Sequence, residues 1–341
     1  MRRALAALAV IAPFVLGAAS LADAEDGQRA FRLEDPEIVE SSGLAFVDDV
    51  VVTVNDSGDS GRVFAVDPAT GQTVGVTRWT AEPRDIEALA PAGPGLVWVG
   101  DIGDNAAARD AVEVFTVPVG RGDRDADPSA YSLTYPKGAR DAETLLAHPR
   151  TGQLFVVSKG VFAGELYAAP RRLRADQPNQ LRPRGPVLSM ATDGAFFPDG
   201  RHLVLRSYTR AVVYSFPALD PVGELALPRQ EQGEAIAISK RGEVLVSSEG
   251  VRQWVMSVPL PPELRQVVLP TQPESEDAAP PGTSVSPDAE SVADADTESA
   301  PSPEDWVAGW RDRDAWPLWL GGGVALGALA LWVVRRRRGR G

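Results

Sequence analysis

A polar-acidic triplet that recurs five times, β-type runs separated by Gly- and Pro-rich turns, and a repeat of roughly 45–50 residues predict an all-β fold, a five-bladed β-propeller. The triplets begin at residues 40, 85, 141, 192 and 232, and a small or apolar run follows each of them. No helical period competes with these runs, so we assign residues 28–270 to the propeller. A six-bladed ring with one degenerate blade is the alternative.

Most copies supply four β-type runs, which is the number of strands in a propeller blade. The second runs cover residues 50–54, 96–99, 154–157, 202–205 and 243–246. The third runs cover residues 62–66, 112–117, 165–168, 211–216 and 254–258. We expect residues 31–39 to close the ring as the outermost strand of the last blade, and residues 264–269 are the competing closure.

Composition and charge exclude several classes of function. The chain of 341 residues has no cysteine and only two histidines, His148 and His202, which argues against thiolate chemistry and histidine-rich metal sites. Its net charge of −13 argues against binding to nucleic acid. Serine-hydrolase, zinc-protease and phosphate-loop motifs are absent from the sequence.

The two ends of the chain predict export and membrane anchoring. Residues 1–24 resemble a signal peptide, with a basic start, an apolar stretch and the small-x-small site Ala22-Asp23-Ala24. An uncharged segment begins at Trp316 and ends at Val334, which suits a helix of roughly 20 residues across the membrane. The Arg-rich tail, residues 335–341, follows at once. We therefore expect a single-pass plasma-membrane protein with an extracellular ectodomain and a cytoplasmic C-terminus.

A linking segment, residues 271–315, separates the predicted propeller from the predicted transmembrane helix. Its first part, residues 271–305, is rich in Pro, Ser, Ala, Asp and Glu and contains no basic residue. Such a composition cannot bury enough apolar surface to fold, and like charges extend it. We expect an acidic, disordered stalk that holds the propeller away from the membrane.

The repeat predicts a set of metal ligands at one end of the central channel. The innermost strands of a propeller run in the same direction, so equivalent triplet positions converge there. The candidate ligands are Ser42, Glu87, Glu143, Asp193 (in place of Gly194) and Glu234. Converging carboxylates repel each other unless a cation lies between them, and a wide ring of oxygen ligands favours Ca²⁺. Alternatively, the carboxylates pair with arginines such as Arg84 and Arg140, or cap backbone N–H groups.

A second set of candidates lies at the ends of the second strands, which the antiparallel order places at the same face. Loops on one face of a rigid scaffold are the usual place for binding. The candidate ligand-binding residues are Asp56, Asp101, Lys159, Arg206, Tyr208 and Glu249. Lys159 and Arg206 suit an anionic ligand, and an internal network of salt bridges is the alternative.

Three short motifs stand out in the repeat: Asp101-Ile102-Gly103-Asp104-Asn105 with Arg109, Arg140-Asp141-Ala142-Glu143-Thr144-Leu145-Leu146, and Gln232-Gly233-Glu234-Ala235-Ile236. They resemble motifs of a secreted β-propeller family of actinobacteria and other bacteria, over most of residues 40–255. The ring of Ser42, Glu87, Glu143 and Glu234 is also similar to that of calcium-centred, apyrase-type five-bladed nucleotidases, and to phytase- and esterase-like propellers. That resemblance implies a central calcium and hydrolysis by a metal-bound water, with Lys159 and Arg206 on phosphates.

Three hypotheses for function follow from the sequence. The first is a surface-displayed binding or scaffold module with a cation in its channel and an extracellular ligand or protein partner. The second is a Ca²⁺-dependent hydrolase of phosphate esters or anhydrides that uses the channel-mouth face. The third is a purely structural ectodomain for protein–protein contact. The sequence does not identify the ligand.

Overall fold

The computed structural model describes residues 28–56 and 58–269, in which 22 strands and one short helix form. The predicted signal peptide, stalk, transmembrane helix and Arg-rich tail lie outside the described residues. Within residues 28–56 and 58–269, no helix has the length and apolar character needed to cross a membrane.

Five sheets of mainly antiparallel strands form the blades of the ring. Blade 1 contains β2 (Ser41–Val47), β3 (Val50–Asn55), β4 (Arg62–Val66) and β5 (Thr73–Arg78), and blade 2 contains β6 (Ile86–Gly93), β7 (Leu96–Asp101), β8 (Val112–Pro118) and β10 (Ala130–Thr134). Blade 3 contains β11 (Ala142–Ala147), β12 (Leu154–Ser158), β13 (Gly164–Ala168) and β15 (Arg182–Val187), and blade 4 contains β16 (Asp193–Phe196), β17 (His202–Arg206), β18 (Ala211–Ser215) and β19 (Pro221–Leu225). Blade 5 contains β20 (Gly233–Ile238), β21 (Val244–Ser248), β22 (Trp254–Val258) and β1 (Gln28–Arg32). Two short strands, β9 (Arg124–Asp125) and β14 (Asn179–Gln180), add in parallel to β5 and β10.

The prediction of five blades is confirmed for the described residues. The innermost strands β2, β6, β11, β16 and β20 contact each other in this order, and β20 returns to β2. No sixth sheet lies between them in the described part of the chain.

The N-terminal strand closes the ring, as predicted, by pairing antiparallel with β22. Its register joins Gln28 to Ser257 and Arg32 to Trp254. The strand begins three residues before the predicted segment 31–39 and ends at Arg32, so that the two overlap only at residues 31–32. The competing closure is not used, because residues 262–268 form helix α1 (Pro262–Val268) instead. Proline in the first turn suits a helix start, and Leu264 and Val268, four residues apart, are buried together against blades 4 and 5.

The hydrophobic core is divided into five clusters, each of which lies between two neighbouring blades. Alternate side chains of one strand enter different clusters, because successive residues of a strand point to opposite faces. Val52 of β3 packs toward blade 2, for example, whereas Val51 packs toward blade 5. Both faces of a blade are therefore buried, which explains why the second runs are mostly apolar.

We expect the closing strand to contribute strongly to stability. Phe31 of β1 is 5% exposed and packs in the cluster between blades 5 and 1. Phe31→Ala should lower the free energy of unfolding by about 3–5 kcal/mol, measured by urea denaturation of the full chain. The matched control is Phe162→Ala, because Phe162 is 98% exposed. A change within about 0.5 kcal/mol is expected there, and equal effects of the two variants would contradict the closure.

Candidate functional site

One end of the channel, here called the channel mouth, gathers the triplets and the ends of the second strands. In every blade the start of the innermost strand pairs with the end of the second strand. The paired residues are Ser41 and Asn55, Ile86 and Asp101, Ala142 and Ser158, Asp193 and Arg206, and Gly233 and Ser248. The antiparallel register thus brings both sets of predicted residues to one face of the ring.

The residues of the predicted ring lie on β-bulges in four of the five blades. The pairing of the innermost strand shifts between Ser41 and Gly43, between Ile86 and Ala88, between Ala142 and Thr144, and between Gly233 and Ile236. The residues in these shifts include Ser42, Glu87, Glu143 and Glu234. A bulge leaves its extra residue outside the ladder and redirects its side chain. Blade 4 has no such shift, and its triplet ends in glycine.

Glu87 is a buried carboxyl group of the channel mouth whose ionisation is strongly disfavoured. It is 4% exposed, and the Ser42 hydroxyl donates to its backbone oxygen at 3.0 Å and to its carboxylate at 3.3 Å. Burial raises the pKa of Glu87 to about 10, and the negative charges of Asp56 and Glu143 add to the effect. A deprotonated Glu87 thus needs a positive charge nearby.

Three carboxylates converge between blades 1 and 2. One oxygen each from Asp56, Asp85 and Glu87 lies within 4.8 Å of the other two. Gly103 borders this group, because a Cβ at that position would lie 2.4 Å from Asp85 Oδ2 and 2.7 Å from Glu87 Oε1. A larger residue at position 103 would therefore displace two of the three carboxylates. We call Asp56, Asp85 and Glu87 the acidic triad.

The Asp101–Arg109 loop holds this region in place. Asp101 is buried, and its carboxylate pairs with Arg109 at 2.6 Å. The same carboxylate accepts hydrogen bonds from the backbone N–H groups of Arg84 and Asp85, at 2.8 and 3.1 Å. Asp104 accepts from the backbone N–H groups of Ala108 and Arg109. Asp101 therefore positions the backbone beside the acidic triad.

Glu143 has an internal partner in blade 3. Its carboxylate forms an ion pair with Lys159, and the Lys159 ammonium donates to the Tyr208 hydroxyl at 2.8 Å. Burial raises the pKa of Glu143 to about 8, although Lys159 opposes the rise. The structure thus brings three of the predicted residues together in one partly buried group that links blades 3 and 4.

Asp193 and Arg206 are fully buried beside the bulge of blade 5. The Asp193 carboxylate accepts from the backbone N–H of Ile236 at 2.8 Å, and the Arg206 guanidinium donates to the Ala235 carbonyl at 3.0 Å. Burial lowers the pKa of Arg206 to about 10. Arg206 forms no ion pair within 4.0 Å to any residue that the structure describes. These two predicted residues support the backbone of the neighbouring blade.

Glu234 and Glu249 lie together on blade 5. Burial raises the pKa of Glu234 to about 7, and the nearby Glu249 carboxylate adds to the rise. The half-buried Glu249 carboxyl group also has a raised pKa, because of burial and the charges of Asp56 and Glu40. Burial and neighbouring negative charges thus disfavour ionisation of both carboxyl groups.

The sequence prediction missed Asp85. Its signal was the acid-x-acid spacing of the second and third triplets, Asp85-Ile86-Glu87 and Asp141-Ala142-Glu143, which puts a second carboxylate two residues before the predicted ligand at the start of the innermost strand. The predicted ligands come from the third position, with Asp193 from the second position in blade 4, although the first position carries a carboxylate in both copies.

No family model matches the chain, and no curated protein matches it. Solved structures with a similar shape include a glucose dehydrogenase, with 12% identity and a TM-score of 0.42, covering 67% of this chain and 99% of that one. Others are a nidogen/laminin complex (14%, 0.37, 62% and 73%) and a Myxococcus xanthus glutaminyl cyclase (11%, 0.44, 69% and 98%). These similarities are of shape only and assign neither a ligand nor a reaction.

The Glu143–Lys159 pair predicts a clear energetic asymmetry. Lys159→Met should lower the free energy of unfolding by about 3 kcal/mol, because it leaves a buried carboxylate without its partner. The double variant Lys159→Met with Glu143→Gln should cost less, because no charge is left behind. Urea denaturation of the full chain measures both. Equal losses of unfolding free energy in the single and the double variant would show that the pair contributes through packing alone.

The raised pKa of Glu87 predicts how stability depends on pH in the absence of metal ions. The folded pKa of about 10 exceeds the unfolded value of about 4.3, so the folded state binds more protons between these pH values. The free energy of unfolding therefore falls as the pH rises through this window.

We expect Glu87→Gln to reduce this fall, with a melting temperature above that of the unaltered chain by a few degrees at pH 9 and a smaller difference at pH 5. Thermal unfolding of the full chain in chelator measures it. The exposed Glu82→Gln is the control and should follow the unaltered chain. A loss of stability with rising pH that is as steep in Glu87→Gln as in the unaltered chain would contradict the raised pKa of Glu87.

Proposed function

We propose that this chain is a cell-surface binding module whose channel mouth holds a divalent cation, Ca²⁺, on the acidic triad. The convergence of Asp56, Asp85 and Glu87 within 4.8 Å carries the proposal. Such close carboxylates repel each other in a partly buried site, and a cation between them removes the repulsion. The Ser42 hydroxyl, 3.3 Å from the Glu87 carboxylate, offers a further oxygen beside them.

The donor set fits a hard cation. Carboxylate and hydroxyl oxygens are the ligands of Ca²⁺ and Mg²⁺, and Ca²⁺ takes roughly 6–8 of them in flexible geometry. The proposed site is displaced from the channel axis toward blades 1 and 2. Glu143 and Asp193, which the axial ring would require, are engaged by Lys159 and by the backbone of Ile236.

The number of ligand oxygens at the site suggests what the module binds. With one oxygen from each of the three carboxylates and one from the hydroxyl, the site provides fewer ligands than the roughly 6–8 that Ca²⁺ takes, so positions remain for water or for oxygen atoms of a ligand. An anionic group of an extracellular molecule or protein would complete the shell. Display outside the cell rests on the predicted signal peptide, stalk and membrane helix that begins at Trp316.

A hydrolase would need cationic side chains at the mouth to hold phosphates. Lys159 is paired with Glu143 and Tyr208, and Arg206 is fully buried among backbone carbonyls. No contact among the described residues favours phosphate binding by either side chain, so we place binding before catalysis.

The test is thermal unfolding of the metal-free full chain with Ca²⁺ and with a chelator. A cation at a thousandfold excess over its Kd stabilises by roughly 4 kcal/mol, so the melting temperature should rise by several degrees. Asp56→Asn and Asp85→Asn should remove the rise.

Because Glu87 has a pKa of about 10, binding should release protons, and the Ca²⁺ affinity should increase with pH by up to roughly tenfold per unit.

The matched control is Glu143→Gln, which alters a mouth carboxylate outside the acidic triad and should keep the response to Ca²⁺. Loss of the response in Glu143→Gln but not in Asp85→Asn would move the cation to the channel axis. The absence of any response would overturn the cation site and leave the acidic triad as a structural feature.

A further inference from the structure

The opposite end of the channel contains a cavity of about 420 Å³. All five innermost strands contribute to its wall, with Leu44, Leu89, Leu145, Ala195 and Ile238 as examples. Its size falls in the range of small-molecule sites, about 300–1,000 Å³, and such sites are mainly apolar. It could hold roughly 14 waters at about 30 Å³ each, which an apolar ligand would release from an apolar wall.

The cavity is open at the end away from the channel mouth. Phe46, Ala147, Ala195 and Ile238 line it near the ends of their strands and keep part of their surface exposed. The rim adds aromatic and cyclic side chains, including the half-buried Trp98. An elongated apolar molecule would therefore enter along the channel axis and contact several blades at once.

The charge of the cavity is opposite to that of the molecule as a whole. The chain carries a net charge of −13, yet no Asp or Glu stands among the described residues that line the cavity, whereas Lys240 and His148 do. Lys240 is exposed and forms no ion pair within 4.0 Å in the described part of the chain. His148 Nδ1 accepts hydrogen bonds from the backbone N–H groups of Arg150 and Thr151, so a neutral ring carries its proton on Nε2. Lys240 and the neutral His148 ring can thus act as donors, whereas the Ser239 hydroxyl oxygen already accepts from the backbone N–H groups of Arg241 and Glu243.

We propose that this cavity binds an amphiphilic carboxylic acid of fatty-acid type. Its apolar chain would lie among the innermost strands, and its carboxylate would lie at the rim with Lys240 and His148. Neither donor has an acceptor among the residues that the structure describes; the acid would supply one, and its chain matches the apolar wall. The site is independent of the acidic triad, which lies at the other end of the channel.

The experiment is photolabelling of the full chain with a dodecanoic acid analogue that carries a diazirine, followed by mapping of the labelled peptides. Labelled peptides should include β2, β11, β16 or β20. Unlabelled saturated acids should compete better as they lengthen, by roughly fourfold per methylene until the cavity is full. Dodecanol should compete more weakly than dodecanoate.

Two variants, Ala195→Trp and Ala147→Phe, place a large side chain in the cavity. They lie on different blades, so the second variant still tests the proposal if the first fails to fold. In a folded variant, shown by an unaltered circular dichroism spectrum, labelling of these strands should fall roughly tenfold or more. Lys240→Glu should weaken competition by dodecanoate roughly fivefold and leave dodecanol unchanged. Glu82→Gln and Phe162→Ser are matched controls, because both residues are exposed and lie outside the cavity lining, and they should label as the unaltered chain does.

Labelling that persists in both folded filling variants would overturn the site. Equal competition by dodecanol and dodecanoate, unaffected by Lys240→Glu, would overturn the assignment of a carboxylic acid. If the melting temperature did not respond to Ca²⁺ while labelling was retained, only the proposed cation site on the acidic triad would be overturned.

Discussion

The innermost strands impose the constraint on which the channel mouth depends: every backbone group that a bulge releases from the ladder needs a new partner, because an unpaired buried polar group is costly. Neighbouring blades supply these partners. The Ser42 and Thr192 hydroxyls donate to the carbonyls of Glu87 and Glu234, and Asp193 accepts from the Ile236 N–H. Much of the polar set at the mouth is thereby committed to joining blades, and only the remainder is available for a ligand.

The two ends of the channel differ because the innermost strands change character along their length. Each begins with the polar triplet and continues with small or apolar residues, so one end is acidic and the other is apolar. The same strands also contribute to the five clusters between blades. A ring built on this repeat therefore carries two chemically distinct openings on one scaffold.

The sequence predicts the blades well because a blade is a local unit with a strong signal. Residues 50–54 and 154–157, for example, lie within strands β3 and β12. The bulges were not predictable, since the extra residue shows only in the pairing of two strands. The contacts of the site could not be predicted either, because they join residues that are far apart in the sequence. Lys159 contacts Glu143, which is 16 residues away, and Tyr208, which is 49 residues away. Helix α1 was missed because seven residues are too short for a clear helical period.

The pairing of β1 with β22 also has a kinetic consequence. Gln28 is the first described residue, and almost all of the other strands of the ring lie between it and its partner Ser257 in the sequence. Contacts between distant parts of a chain slow folding, and the N-terminal part of a protein is synthesised first. The closing strand must therefore wait, with its edge unpaired, until the last blade has emerged. Any factor that shields this segment from other chains during the delay would raise the yield of closed rings without changing their final stability.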